Sequence, residues 1–125
     1  MEIIKTNKSP KAIGTYSQAV KVDKYVFTSG QIAIDPLTEE VVCDTIDNEI
    51  RQVLANLENV LVEAGSSIHK VIKLNIYLID LNNFDILNNI LLDILNKKQL
   101  PARSTVQVSK LPRNVNIEID AIGEI

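Results

Sequence analysis

The chain has 125 residues, 46% hydrophobic and 23% charged, with a formal net charge of −3. That balance suits one globular domain able to bury a core without disulfide or metal staples, and excludes a disordered chain. No apolar run nears the roughly 20 residues that cross a bilayer, and a lone Cys43 rules out an internal disulfide.

Other classes fall away on chemistry. The only histidine, His69, has no cysteine cluster beside it, so a structural zinc site is not expected. Three arginines in an acidic chain argue against sequence-independent nucleic-acid binding, which needs clustered cations to neutralise phosphates. Lys5, Lys8, Lys11, Lys21 and Lys24 are dispersed and read as a solvated face. Met1 to Asn7 lacks the apolar stretch of a secretory signal, so the expected location is cytoplasmic.

In chain order, Ala19–Val22 and Tyr25–Ser29 read as two strands around a turn at Asp23-Lys24. Gly30 ends the second, Asp35-Pro36 marks a turn, and a weaker strand is expected near Val41-Val42. From Thr45 to Ala64, apolar residues recur every three or four positions, which predicts a helix. Asp44 or Thr45 suits its cap and Gly65 its exit. Lys70–Asp80 reads as a strand, with Ile72, Leu74, Ile76 and Leu78 on one face and Lys73, Asn75 and Tyr77 on the other. A second helix is predicted over about Asn82–Lys97, burying Phe84, Leu87, Ile90, Leu91, Ile94 and Leu95. Two strands follow, Arg103–Val108 and Val115–Ala121. The order predicts an α+β fold, with two helices packed on one face of a mixed sheet. The other face is half polar, fit either for solvent or for an oligomer interface.

Alternation puts Val106 and Val108 toward the helices with Ile117, Ile119 and Ala121. Arg103, Thr105, Glu118 and Asp120 then share the far face. If the last two strands pair as a hairpin, Thr105 lies opposite Glu118 and Arg103 near Asp120. One reading of this patch is a structural cross-strand ion pair. The other is a site in which Arg103 grips a carboxylate and Glu118 holds a water as general base.

Pro101-Ala102-Arg103-Ser104, Leu111-Pro112 and Ile117-Glu118-Ile119-Asp120-Ala121-Ile122 resemble the C-terminal signature of the RidA (YjgF-like) family. Ala12-Ile13-Gly14-Thr15-Tyr16-Ser17-Gln18-Ala19 and Phe27-Thr28-Ser29-Gly30-Gln31-Ile32 resemble its N-terminal signatures, and Asp80-Leu81-Asn82-Asn83-Phe84 its middle block. The resemblance spans essentially the whole chain, residues 1–125 as one domain. It implies a chorismate-mutase-like fold in a homotrimer built around a central barrel of sheets, with sites between subunits. It also implies a 2-iminobutanoate/2-iminopropanoate deaminase, which hydrolyses enamine and imine acids, 2-aminoacrylate among them, to 2-keto acids and ammonia without metal or organic cofactor.

Carried over residue by residue, the resemblance makes Arg103 the carboxylate clamp and Glu118 the residue that positions water. Backbone at Gly30 and Thr105 would meet the reacting end, with Tyr16 and Ser29 lining the cleft. Thr15, Glu39-Glu40 and Thr105 depart from residues common in the family (proline, Gly-Glu and cysteine). The stretch before Pro101 is shorter and lacks aromatics. The sequence leaves two other functions open: a 2-keto-acid-binding regulatory trimer without turnover, and an RNA-directed, translation-inhibiting activity.

Overall fold

The computed structural model describes residues 1–125. Six strands form one mixed sheet: β1 (Glu2–Ile4), β2 (Ala19–Val22), β3 (Tyr25–Thr28), β4 (Val71–Leu78), β5 (Ala102–Gln107) and β6 (Ile117–Glu124), in the order β1-β2-β3-β6-β4-β5. Helices α1 (Ile46–Glu63) and α2 (Phe84–Ile94) cover one face. The predicted two-helix α+β layer is the observed one. No helix is long and apolar enough to cross a membrane.

Helix α1 begins where a local donor is satisfied. Thr45 is extended, and its hydroxyl accepts the Asn48 N–H at 3.1 Å. Leaving the helix, Gly65 adopts φ +88°, a left-handed conformation that a side chain would strain. The apolar stripe of α1, including Ile50, Val53, Leu57 and Leu61, is wholly buried. It packs against Val26 of β3 and the inward residues of β6 in one continuous core.

Four expectations need correction. Helix α2 starts after a 3-10 turn at Leu81–Asn83 and ends at Ile94, three residues before Lys97. Leu95 is already extended, and the Asn96 side chain accepts the Lys98 N–H at 3.1 Å, a local bond that competes with helix. In β4, a bulge between Val71 and Lys73 turns Ile72 outward, 43% exposed, and sends Val71 into the core instead. The Val41 strand reduces to a single bridge with Ile34, while the N-terminal β1 was not anticipated.

The fourth correction governs the site. The expected β5–β6 hairpin is not formed. Strand β4 lies between the two, antiparallel to β6 and parallel to β5. Parallel neighbours require a crossover, and α2 supplies it. Register then sets the faces. Arg103 sits beside Leu74 and Thr105 beside Ile76, on the helix side, whereas Val106 sits beside Tyr77 on the open side and is 45% exposed. The facing predicted for β5 is therefore inverted.

One buried carboxylate ties these parts together. Glu49, wholly buried in the first turn of α1, accepts the Asn116 N–H at 2.7 Å and its side-chain amide at 2.8 Å. The Asn116 carbonyl accepts the Ile79 N–H at 3.1 Å, so α1, the end of β4 and the start of β6 share one residue. Glu49→Ala strands both Asn116 donors. It is expected to cost about 1–3 kcal/mol, measured by chemical denaturation at fixed protein concentration.

Candidate active site

Glu118 stands between core residues Ile117 and Ile119, so strand alternation turns it to the open face. There it lies beside Tyr77 of β4 and two residues from Asp120. Gly30 runs directly against it. A Cβ built on Gly30 would fall 2.6 Å from Glu118 Oε2 and 2.7 Å from its Cδ, so only glycine leaves the carboxylate where it is. The chain on either side of Gly30 is pinned. The Ser29 N–H donates to Gln18 O at 2.9 Å and its hydroxyl to Ser17 O at 2.5 Å. Gln31 and Ile119 exchange backbone bonds at 2.8 and 3.1 Å. Gly30 itself uses neither its N–H nor its carbonyl within the protein. Tyr16 and Gly30 line one hollow of about 240 Å³ together with Pro112 and Arg113, and the Tyr16 hydroxyl accepts the Ile13 N–H at 3.2 Å.

Burial raises the Glu118 carboxyl above its usual range, and the neighbouring negative charge of Asp120 adds to this. Tyr77 is raised by burial first, and then by Asp120 and Glu118. Asp120 itself is well satisfied, accepting from Asn75 Nδ2 at 2.8 Å and from the Tyr77 hydroxyl at 3.3 Å.

Arg103 belongs to a second group. It donates from Nη1 to Asn88 Oδ1 at 2.6 Å and lies over the Phe84 ring, 5.1 Å from its centre. No carboxylate pairs with it; both ion pairs in the chain use Arg51, with Asp47 and Asp93. The structural ion pair between Arg103 and Asp120 is thus overturned by register, since the two lie on opposite faces and two strands apart. Asn88 occupies one of five guanidinium donors and fixes the plane of the rest. Thr105 follows on the same face, and its hydroxyl oxygen is buried without a partner. The Val108 N–H points inward to Leu78 O at 2.8 Å, so alternation along this edge strand turns the N–H of Thr105 outward.

The six expected residues therefore form two groups in one chain. Gly30 lies against Glu118 on the open side, with Ser29 next to it in the chain and Tyr16 lining a hollow with it. Arg103 and Thr105 stand at the β5 edge on the helix side. Asn88 and Phe84, which hold the guanidinium, were not anticipated, although their four-residue spacing on α2 puts them on one helix face.

A family model described as endoribonuclease L-PSP matches residues 6–125. The chain belongs to the RidA (YjgF-like) family. A RutC family protein of Pyrococcus abyssi is 45% identical over 122 residues, 98% of this chain and 95% of the relative. A mouse protein named 2-iminobutanoate/2-iminopropanoate deaminase is 40% identical, with 98% of this chain and 90% of the relative covered. The crystal structure of Escherichia coli TdcF with bound serine has a TM-score of 0.91 at 36% identity, with 100% and 99% covered. The RidA-family sheet and its two helices thus extend over this entire chain.

The raised carboxyl of Glu118 has a thermodynamic sign. A carboxyl raised in the folded state favours folding when protonated and opposes it when charged. Glu118→Gln is therefore expected to be at least as stable as wild type at pH 7. Its advantage should shrink as pH falls through the raised carboxyl range. Denaturation midpoints across that range check this, and a variant weaker than wild type at neutral pH would contradict it.

Proposed function

We propose that the chain is a hydrolytic deaminase of 2-imino acids, working as a homotrimer whose sites join Arg103 of one copy to Glu118 of the next. The observation that carries this reading is the division of the site. Arg103 is an oriented guanidinium with no carboxylate partner, and Glu118 is a partly buried carboxylate with no cationic one. Each is chemically half of a site, and no rotamer of one chain unites them across the sheet. The name of the mouse relative supports the substrate class.

The open sheet face supports assembly. Ile3, Val20, Phe27 and Ile122 form one apolar row across β1, β2, β3 and β6. Ile3 and Phe27 are exposed, and beyond them lies the polar half with Asn75, Tyr77 and Glu118. A head-to-tail interface that closes a ring would bury the first half and leave the second at the seams. Three as the number of copies follows the family resemblance.

In this reading Arg103 binds the substrate carboxylate through the donors that Asn88 leaves free. The outward N–H of Thr105 and the backbone of Gly30 meet the reacting end. Enamines such as 2-aminoacrylate first tautomerise to the imine. Glu118 then orients a water whose oxygen bonds to C2 as the C=N double bond becomes single. One proton of the water passes through Glu118 to nitrogen, giving an amino alcohol; the hydroxyl proton then follows it as the C–O bond becomes double and the C–N bond breaks, and a 2-keto acid and ammonia leave. No electrons change hands between molecules, so position and electrostatics suffice. Because Glu118 acts ionised, the rate should rise with pH through its raised range.

Arg103→Ala is expected to lose about 2–5 kcal/mol in kcat/KM, with Arg103→Lys nearly as impaired, since lysine keeps the charge but loses the planar fork. Imine disappearance behind a threonine dehydratase measures both. Tight 2-keto-acid binding without turnover would instead favour a regulatory protein, and RNA cleavage by the purified chain an RNA-directed one.

Mixing tests the shared site directly. Arg103→Ala and Glu118→Gln chains, each nearly inactive, should regain activity when unfolded and refolded together. Random assortment rebuilds both halves in about one site in four. A monomeric mass in light scattering, or no recovery in hybrids of trimeric mass, removes the shared site.

A further inference from the structure

The early end of α2 leaves a hollow. After Ile94 the chain turns extended and passes through Asn96–Leu100 to reach Pro101, so the last turn of α2 does not close onto the start of β5. The resulting cavity of about 420 Å³ has Arg103 and Asn88 at its polar end. Its remaining wall is largely leucine: Leu91 and Leu95, which are buried, and Leu92 and Leu100, which are 44% and 57% exposed at the rim. A pocket of this size, apolar with a few convergent polar groups, has the dimensions of a ligand site. A substrate side chain of one or two carbons would leave most of it empty. Its wall carries no acidic or hydroxyl group that would favour a polar side chain.

We infer that this hollow is a specificity pocket that selects 2-imino acids with branched, fully apolar side chains of about four carbons, such as the imine of leucine. The inference rests on the deaminase reading above, because Arg103 must hold the carboxylate for the side chain to enter beside it. Once that end is fixed, each further methylene buried against the leucines adds a factor of up to about four in kcat/KM. The imine of leucine carries three more carbons than that of alanine, which sets an upper bound of roughly sixty-fold between them. The reaction supplying such a substrate would be oxidation of a branched amino acid at its C–N bond, in which the oxidising enzyme takes the two electrons and releases the imine.

The test generates the imines of alanine and leucine in situ with an amino-acid oxidase and follows the imine left for capture by semicarbazide. Wild type should show kcat/KM at least about tenfold higher for the leucine imine. Leu92→Trp, which fills the hollow from its rim, should bring the ratio of the two substrates near or below one, with melting temperature and assembly mass unchanged. Equal or better use of the alanine imine by wild type overturns the pocket while leaving the deaminase intact. An unchanged ratio in a folded Leu92→Trp also overturns it. So does loss of assembly in that variant, which would make the hollow a seat for another subunit. If neither imine is hydrolysed, the deaminase reading itself fails and the pocket goes with it.

Discussion

Strand β4 is hydrogen-bonded along both edges, antiparallel to β6 and parallel to β5, and the rest of the molecule depends on that double pairing. It places Leu74, Ile76 and Leu78 at the centre of the core, where they are almost fully buried. It makes β5 an edge strand, with one side of its backbone open. It also separates the two charged residues of interest by two strand spacings, roughly 9–10 Å, before their opposite faces are counted. A chain that paired β5 with β6 would place Arg103 among carboxylates and neutralise it. This one keeps the arginine uncompensated.

The electrostatics follow from that separation. Glu118 shares its surroundings with Asp120, and neither has a cation within reach in the same chain. Asp120 relieves itself through the Asn75 amide and the Tyr77 hydroxyl, which leaves Glu118 as the less satisfied of the two. Arg103 is held by a neutral amide and an aromatic face, partners that orient a guanidinium without cancelling its charge. An anionic ligand could compensate the arginine. A carboxylate with a raised pKa is suited to move a proton near neutral pH.

The loops that flank the candidate site are anchored by buried amides. Asn56, wholly buried on α1, donates to the carbonyls of Ile32 at 3.0 Å and Ile34 at 2.9 Å, and so holds the segment leaving Gly30 against the helix. Gln18 reaches Thr6 and Pro10 and fixes the N-terminal arm that carries Tyr16. Each satisfies backbone groups that no strand reaches, the carbonyls of Ile32 and Ile34 in one stretch and of Thr6 and Pro10 in the other. With Glu49 on Asn116, they set the position of both flanks of Glu118.

By itself the sequence determined what depends on near neighbours. Helix α1 with its Thr45 cap and Gly65 exit, the alternation of β4 beyond Ile72, and the outward facing of Glu118 all follow from periodicities of two or 3.6 within one segment. The family signatures likewise lie in short stretches, and two of the residues they carry, Gly30 and Glu118, meet in the fold. Only the tertiary structure decided which strands are neighbours. Pairing joins residues far apart in the chain, and alternation within β5 is equally consistent with either face, since Arg103, Thr105 and Gln107 simply exchange places with Ser104 and Val106. The α2 crossover laid β5 parallel to β4, and the register of that pair, with Arg103 beside Leu74, made the choice. It turned Arg103 toward Asn88 and Phe84, and left Glu118 on the other side of the sheet.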